Sequence, residues 1–470
     1  MIHSFFSLVT RHWISLLGSV IALVALVLVV MLFGMELAGY HGGPYLGILT
    51  YMLLPMGILF GLTLIPIGVW RKRKIDRAAA NHHEASPAGL PVIDLNDERT
   101  RGMLLASVAI AMVSLVVVAG ATYKGVEVME SVPFCGTVCH TVMEPEHTAF
   151  QRSSHSKLRC ADCHIGAGAD WFVKSKISGS WQMVSVAFNL YPTPIPSPVH
   201  NLRPARDTCE QCHWPTRHVG DKLQVRTKFA EDEANSVTKT VLLMKVGGQQ
   251  GTASSGIHWH VDRGVKIRFQ SDASRQNIFD VEMTAADGRV RTFKTKEAAT
   301  GPVEWRQMDC VDCHNRPSHT FKMPSLEIDN ALEDGRIDKT LPFIKREGMR
   351  VLNGQYASHE EARASIAREL AGFYKTSYAD LSTSKAAAIT KASNSLGDIY
   401  AWNVFPKMKV NWGTYKSNLG HDDDAPGCFR CHDKKHAAPD GAKISGSCKL
   451  CHAVLADDER DPDILKTLKP

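Results

Sequence analysis

Residues 132–164, VPFCGTVCHTVMEPEHTAFQRSSHSKLRCADCH, contain two cysteine pairs, and each pair is followed directly by a histidine. Further copies of this arrangement follow, so all twelve cysteines of the 470-residue chain belong to six motifs and none is left over. An uncharged apolar run, residues 103–123, stands just before the stretch. The six motifs are Cys135/Cys139/His140, Cys160/Cys163/His164, Cys209/Cys212/His213, Cys310/Cys313/His314, Cys428/Cys431/His432 and Cys448/Cys451/His452.

The motifs have the pattern of c-type haem attachment sites. In Cys-x-x-Cys-His the two thiols bond covalently to the porphyrin and the adjacent imidazole ligates the iron. A single copy would also fit a zinc or redox site, but repeated copies that use every cysteine favour haem. The first motif differs, because residues 136–138 put three residues between its cysteines. We expect a haem of altered geometry there, with an unmodified pair as the alternative, and hence six covalently bound haem c.

Three uncharged apolar runs, residues 13–35, 42–70 and 103–123, precede the motifs. Each exceeds the roughly 20 residues that a helix needs to cross the hydrocarbon layer. Basic residues crowd the segment 71–102, which the positive-inside rule therefore places in the cytoplasm. Everything after Tyr123 then lies outside, which agrees with the periplasmic attachment of c-type haem. A cleaved signal peptide is the alternative for the first run, but no small-residue cleavage site follows it.

The chain pattern predicts a mainly α, membrane-anchored multihaem cytochrome c with a small antiparallel β insertion. We expect residues 1–123 to form the anchor with its three transmembrane helices. Residues 124–220 form a domain with motifs 1–3, residues 221–305 the β-rich insertion and residues 306–470 a helical domain with motifs 4–6. Asp287-Gly288 is a strong hairpin turn signal. Periodicity predicts strands at 237–246, 265–269, 278–284 and 289–295 and helices at 358–374 and 383–402.

A haem iron that only transfers electrons normally has a second axial ligand, which tunes its potential. The chain has more spare histidines than irons. His258 and His260, two residues apart in a segment predicted to be extended, are expected to supply one ligand between them. His359, on a polar helix, is assigned to solvent. Proximity to the motifs favours His155, His319, His421 and His436, and leaves His147, His200 and His218 open.

The opening stretch resembles the NapC/NirT/NrfH family of membrane-anchored quinol dehydrogenases over roughly residues 103–220. The resemblance rests on FCGTVCHTVM at 134–143, SH at 154–155, CADCHI at 160–165 and WFVKSK at 171–176. The extra apolar runs, the predicted sheet and the carboxy-terminal motif pair are similar to the larger inner-membrane quinol-oxidising cytochromes of metal-reducing bacteria. This second likeness rests on NLRPAR at 201–206, CHWP at 212–215 and PGCFRCHD at 426–433.

The resemblance implies a quinol pocket beside the first haem. In the family a Met after the first motif can ligate that haem, but here one residue is inserted in each spacer, so the choice between His140 and Met143 stays open. In the family, a Lys downstream of the second motif ligates a haem or lines the quinol pocket. The matching residue here is Lys176 or Lys174. The family's Asp is missing, since residues 181–183 are Trp-Gln-Met. Candidate proton acceptors are then Glu144, Glu146 and Asp170, and candidate partners of haem propionates are Arg203, Arg206 and Arg217.

These features predict an inner-membrane quinol dehydrogenase, of the quinol:cytochrome c oxidoreductase type, with its haem domain in the periplasm. It would take electrons from menaquinol in the quinone pool and pass them through six haems to a periplasmic cytochrome or reductase, in anaerobic or extracellular respiration. The net charge of +6 shows no basic stripe for nucleic acid, and a homo-oligomer stays open. The alternatives are a membrane-anchored terminal multihaem reductase for nitrite or a metal, and a haem wire subunit without a quinol site.

Overall fold

The chain forms two compact units, Met1–Cys139 and His140–Pro470, in a computed structural model. The described residues are mainly helical, and their small sheets are all antiparallel. The predicted fold class is therefore confirmed. The structure describes residues 12–37, 49–80, 95–165, 169–199, 203–214, 220–250, 253–262, 264–285, 287–421 and 425–467.

Within its described residues, the first unit contains three helices that are long and apolar enough to cross a membrane. They are α1 (Trp13–Leu37), α2 (Leu54–Ala80) and α3 (Glu98–Met129), with apolar spans at Trp13–Met35, Leu54–Lys72 and Met112–Met129. The second described span begins at Leu54, after a π-helical turn at Leu49–Leu53, and residues 42–48 of the predicted run lie outside the described residues. The third continues past Tyr123, where Lys124 and Glu127 form an ion pair of 2.9 Å along the helix and stabilise its extension.

Helices α1 and α2 approach each other closely where both carry glycine. A side chain at Gly18 would place its Cβ 2.6 Å from the carbonyl oxygen of Gly61, and one at Gly61 would lie 2.5 Å from that of Gly18. Ser15 Oγ donates a hydrogen bond of 3.0 Å to the Ile65 carbonyl oxygen across the same pair. Small residues let membrane helices gain van der Waals contact where lipid supplies no hydrophobic driving force. Van der Waals contact between closely approaching backbones therefore stabilises the α1–α2 pair.

The second unit combines short helices that carry motifs with a block of longer helices between motifs 4 and 5. Leu341, Leu370 and Leu396 are fully buried in the core of this block. The predicted helices at 358–374 and 383–402 are confirmed. The helices of the unit are α4 (His140–Gln151), α5 (Cys160–His164), α6 (Ala169–Ala187), α7 (Ala205–Cys209), α8 (Cys310–Cys313), α9 (Pro324–Glu333), α10 (Ile344–Leu352), α11 (His359–Ser377), α12 (Ala379–Ser384), α13 (Ala386–Asn403) and α14 (Asp463–Thr467).

The strands that the structure describes form three antiparallel sheets. They are β1 (Lys222–Phe229), β2 (Val237–Met244), β3 (Gly248–Gln250), β4 (Ala253–Ser255), β5 (Lys266–Ser271), β6 (Ile278–Thr284), β7 (Val290–Lys294), β8 (Glu304–Gln307) and β9 (His452–Glu459). Their orders are β1–β2–β9, β3–β4 and β7–β6–β5–β8. All four predicted strands are confirmed, and β6 and β7 form the predicted hairpin, with Gly288 at a φ of +83°. Strand β9 follows the last motif, so one sheet includes a strand from outside residues 221–305.

A buried ion pair joins the block of longer helices to the first helix of the unit. Arg152, just after α4, places Nη2 2.7 Å from Oε1 of Glu327 on α9, whose side chain is only 1% exposed. The guanidinium also lies 4.0 Å above the ring of Trp402 on α13. The conventional core of α9–α13 thereby supports α4, which begins with the histidine of motif 1.

Candidate haem sites

The regular motifs are built on single helical turns. His213, His314 and His432 each donate a backbone hydrogen bond to the carbonyl oxygen of their first cysteine, at 2.8, 2.8 and 3.1 Å. In α5 and α8 an aspartate of the motif, Asp162 or Asp312, also accepts a hydrogen bond from the backbone N–H before the helix, at 3.0 and 2.7 Å. Residues i, i+3 and i+4 share one helical face. The turn therefore presents two thiols and one imidazole together, as haem attachment requires.

In motif 3 the second cysteine, Cys212, is more exposed to solvent than the first. Helix α7 ends at Cys209, so Cys212 stands in the turn after the helix, where its N–H donates to the Cys209 carbonyl oxygen at 3.2 Å. Cys212 is exposed, whereas Cys209 is half-buried, because the chain continues from it into exposed His213 and Trp214. The covalent attachment of haem at Cys212 stays a prediction from the motif spacing. Cys163 and Cys448 are exposed in the same way.

Motif 1 takes up its extra residue in a π-helical turn, Phe134–Val138. A π-helix closes i→i+5 hydrogen bonds and is wider than an α-helix, so cysteines four apart can share a face. Thr137 Oγ1 donates a hydrogen bond of 2.5 Å to the Pro133 carbonyl oxygen within this turn. Burial raises the pKa of the Cys139 thiol. The side chain of His140 lies outside the described part of the structure, so the choice between His140 and Met143 stays a prediction.

In motifs 2 to 6 the structure places a second histidine opposite the motif histidine. An imidazole nitrogen binds a metal at about 2 Å and sits roughly 1 Å from its ring centre, so two imidazoles on one iron have centres about 6 Å apart. The observed separations of 5.8–6.5 Å fit this value, and the residues present therefore fit haem. The pairs are His164 with His319 (6.2 Å), His213 with His155 (6.0 Å), His314 with His258 (6.5 Å), His432 with His260 (5.8 Å) and His452 with His421 (6.2 Å).

Backbone carbonyl groups fix the tautomer in three of these rings. Nδ1 of His260 donates to the Ile257 carbonyl oxygen at 2.7 Å, and Nδ1 of His432 donates to that of Ser445 at 2.7 Å. Nδ1 of His319 donates to the carbonyl oxygen of Glu146 at 3.0 Å. A proton held on Nδ1 leaves the lone pair on Nε2, which is the form that ligates a metal. Burial also lowers the pKa of His260, which keeps the ring neutral.

The pairing does not follow proximity in the sequence. His155 stands just before motif 2 but faces the histidine of motif 3, and His319 follows motif 4 but faces that of motif 2. His421 precedes motif 5 and faces motif 6. His258 and His260, expected to supply one ligand between them, each face a different motif histidine, which favours a separate ligand role for each. In the 3₁₀ turn at Ile257–Val261, side chains two residues apart point about 120° apart, so the two rings face different motifs.

The structure does not bring His436 to a motif histidine. Its ring is buried, with Nδ1 3.0 Å from Oδ1 of Asp433 and Nε2 3.1 Å from the Ile278 carbonyl oxygen. Both ring nitrogens are thus engaged, which does not support His436 as a ligand. His359 is not simply solvated, since its Nε2 donates to the Val404 carbonyl oxygen at 2.6 Å. His147 lies 3.3 Å from Gln151, and His200 and His218 lie outside the described residues.

Motifs 2 to 6 are neighbours in space in their chain order. Between motifs 3 and 4, the Ala205 N–H donates to Asp309 Oδ2 at 2.9 Å. Between motifs 4 and 5, Arg430 Nη2 donates to the Asp312 carbonyl oxygen at 2.5 Å. Burial raises the pKa of the Cys313 thiol to about 11. The thiols that interact electrostatically across successive motifs are Cys163 with Cys209 and Cys212, Cys209 with Cys310, Cys313 with Cys428, and Cys428 with Cys451.

Two of the three candidate arginines differ clearly in their surroundings. Nε and Nη1 of Arg203 are buried without a protein hydrogen-bond acceptor, whereas its Nη2 donates to the Asp207 carbonyl oxygen at 2.7 Å. A buried guanidinium with unused donors fits an anion such as a haem propionate. Arg206 is engaged within the protein, by the Val261 carbonyl oxygen at 2.6 Å and by Glu210 at 3.2 Å. Arg217 lies outside the described residues.

Two candidates for the quinol site lie on α6. Lys174 Nζ lies 4.6 Å above the ring of Trp171, and Lys176 is half-buried. The same helix exposes Ile177 and Trp181. Asp170 is the second residue of α6, and its side chain is not described.

The carboxylates of α4 have separate surroundings. Glu144 is 46% exposed, with Oε1 3.9 Å from Nδ1 of His359. Glu146 is bound by Arg316 at 2.7 and 2.8 Å and lies 3.1 Å from His319. Sequence reasoning missed Arg316, and its place within five residues of His314 and His319 was the available signal.

Comparison with known proteins agrees with this geometry. The NapC/NirT cytochrome c family, N-terminal region, matches residues 98–195. The cytochrome c-type protein ImcH of Geobacter sulfurreducens is 39% identical over 449 residues, which cover 94% of this chain and 87% of that protein. No solved structure matches. With its three membrane spans and its Cys–His motifs, the chain belongs to the NapC/NirT family of membrane multihaem c-type cytochromes.

Proposed function

We propose that the chain is an inner-membrane quinol dehydrogenase that passes electrons from menaquinol through six c-type haems to a periplasmic cytochrome or reductase. The observation that carries the proposal is the set of five histidine pairs, each with ring centres 5.8–6.5 Å apart, on motifs that adjoin in chain order. Haem bound at these motifs supplies reversible one-electron transfer. The protein's own role is to ligate, space and insulate these centres.

Paired axial histidines favour electron transfer over reaction at an iron. An open axial position is what a terminal reductase needs in order to bind nitrite or another substrate. Motifs 2 to 6 each have a second imidazole in place, which leaves only motif 1 without a described partner. This arrangement supports a protein that only transfers electrons over a terminal reductase.

The quinol end is proposed at motif 1, where α4 and α6 carry the candidate residues. Oxidation of a quinol releases two protons and two electrons, so a group near the ring must take up protons. Glu144 is proposed for this role, because His359 stands 3.9 Å away and its Nε2 is already donating to the Val404 carbonyl oxygen. Nδ1 of His359 then carries a lone pair that can receive the proton. Lys176 or Lys174 is proposed to line the pocket, and Asp170 is a further acceptor.

The proposal places the haem-bearing unit in the periplasm and the other end of the wire at motif 6. Motif 6 lies last in the spatial order and its Leu450 is 48% exposed. An exposed edge permits transfer to another redox protein, for which a periplasmic c-type cytochrome or reductase is the proposed partner. The membrane quinone pool is the proposed donor.

The test uses the full chain with all haems attached, reconstituted in liposomes. Addition of a menaquinol analogue is expected to reduce the haem iron rapidly, and this reduction is followed in the haem absorption spectrum. Glu144→Gln and Lys176→Met are expected to slow this reduction while dithionite still reduces every haem. No reduction of any haem by quinol would defeat the proposal. Reduction at an unchanged rate in both variants would place the pocket elsewhere and favour a wire subunit fed by a partner.

A further inference from the structure

Glu146 was expected to accept quinol protons, but its contacts indicate a different role. It lies on α4, and Nη2 of Arg316 binds both of its carboxylate oxygens at 2.7 and 2.8 Å. Its Oε2 is 3.1 Å from Nδ1 of His319, and its backbone carbonyl oxygen is 3.0 Å from the same atom. The backbone carbonyl oxygen of Glu146 thus accepts the Nδ1 hydrogen bond of His319, and the carboxylate lies beside the same N–H.

Arg316 is itself held in place around this contact. Its Nε donates to the His319 carbonyl oxygen at 2.7 Å, and its side chain is only 10% exposed. The guanidinium lies 4.1 Å from the ring centre of Tyr415 and 5.1 Å from that of Phe321. A cation fixed between aromatic faces and bonded to a carboxylate has little freedom to turn. The fixed guanidinium of Arg316 therefore sets the orientation of the Glu146 carboxylate.

We propose that Glu146 is a positioning residue for the iron at motif 2, which orients His319 opposite His164 and lowers the reduction potential of that centre. This inference rests on the proposed ligand pair. The Glu146 carbonyl oxygen, which accepts the Nδ1 hydrogen bond, fixes the tautomer and aims Nε2, and the carboxylate beside the same N–H makes the ring a stronger donor. The negative charge near the iron also favours its oxidised form. Both effects act in the same direction.

Two rings of other pairs have different neighbours at Nδ1. Nδ1 of His260 and of His432 donate only to uncharged backbone carbonyl groups, at 2.7 Å each. His319 differs from these two rings in having the Glu146 carboxylate 3.1 Å from Nδ1. Removal of the Glu146 charge would also leave the Arg316 cation unpaired beside His319, and both changes favour the reduced form of the centre at motif 2.

The test is an equilibrium redox titration of the full-length protein with its haems attached, in detergent, with Glu146→Gln compared with the wild type. One of the one-electron transitions is expected to become at least tenfold easier to reduce, which corresponds to about 59 mV, while the others stay in place. Glu146→Asp keeps the charge and is expected to return this transition toward the wild-type position. Glu369→Gln, which removes a carboxylate 2.7 Å from Arg350 within the helical block, is the matched control and should change nothing.

Superimposable titration curves for wild type and Glu146→Gln would overturn the proposal, as would an equal shift of every transition. Pyridine haemochrome analysis of each variant establishes that the haem content is intact, and Glu146→Asp provides a second reading if the glutamine variant folds poorly. A His319→Met variant separates this inference from the ligand assignment. If His319→Met leaves the low-spin spectra and potentials unchanged, the ligand pair is wrong; if it alters them while Glu146→Gln does not, only the role of Glu146 is wrong.

Discussion

The 3₁₀ turn at Ile257–Val261 provides the sharpest test of the haem arrangement, because its two histidines face different motifs. Substitution of His258 by Ala removes the ring 6.5 Å from His314, and substitution of His260 removes the ring 5.8 Å from His432. Each change should leave one iron of six with a single protein ligand. One-sixth of the haem iron is then expected to become high spin and to bind CO, and the double variant should convert one-third.

The two single variants should also lose different spectral components. The rings of His258 and His314 are nearly parallel, at 18°, whereas those of His260 and His432 are nearly perpendicular, at 78°. The angle between axial imidazole planes sets the splitting of the iron d orbitals, so perpendicular planes give a low-spin ferric EPR signal of much larger g anisotropy. His258→Ala should therefore remove a component with small anisotropy, and His260→Ala one with large anisotropy.

Low-temperature EPR of the oxidised full-length protein measures both the high-spin fraction and the component lost. His359→Gln is the control, because His359 contacts the Val404 carbonyl oxygen and Glu144 but pairs with no motif histidine among the described ring contacts. The reasoning is refuted if either alanine variant shows no more high-spin haem than the wild type at full haem content. It is also refuted if both variants lose the same component, since that would mean that the two histidines serve one iron.

Three further substitutions test the fold and the propionate site. Lys345→Met should lower the free energy of unfolding by about 3–5 kcal/mol, measured by denaturant titration, because it leaves buried Asp329 without its partner at 2.6 Å; an equal stability would contradict the buried pair. Gly61→Val should lower the thermal stability of the detergent-solubilised protein, while Gly34→Val, with open space around it, should not; equal losses would argue against a close α1–α2 crossing. Arg203→Met should lower one haem potential in a redox titration, because a buried cation near a propionate favours the reduced form, and an unchanged titration would remove Arg203 from the haem sites.

The helical block α9–α13 shows how this protein obtains stability where motifs leave little apolar core. Residues such as Ile328, Ile366 and Ile399 are completely buried there. The segments around the motifs are short by comparison, and α5 and α8 are single turns. Covalent haem attachment can stabilise such turns. Arg152 connects the block to α4 through buried Glu327, so the core outside the motifs also steadies the helix that carries Glu146.

The sequence by itself determined the features that depend on residue spacing and hydrophobic periodicity within a short stretch of chain. Spacing of cysteine and histidine defined the six motifs, and apolar length defined three spans, because each property is contained within a few turns of chain. The strands at 278–284 and 289–295 and their Gly288 turn followed from alternation and from the φ that glycine permits.

Only the tertiary structure decided which histidines meet. His155 and His319 face motifs 3 and 2, and not the motifs beside them in the chain, because pairing across an iron is set by packing of distant segments. A 3₁₀ turn, which side-chain period could not distinguish from an extended segment, gave His258 and His260 separate partners. The contacts on which the proposed support of His319 by Glu146 rests also come from the tertiary structure. Arg316, the partner of Glu146, is 170 residues away in the chain, and no local pattern encodes a contact at that distance.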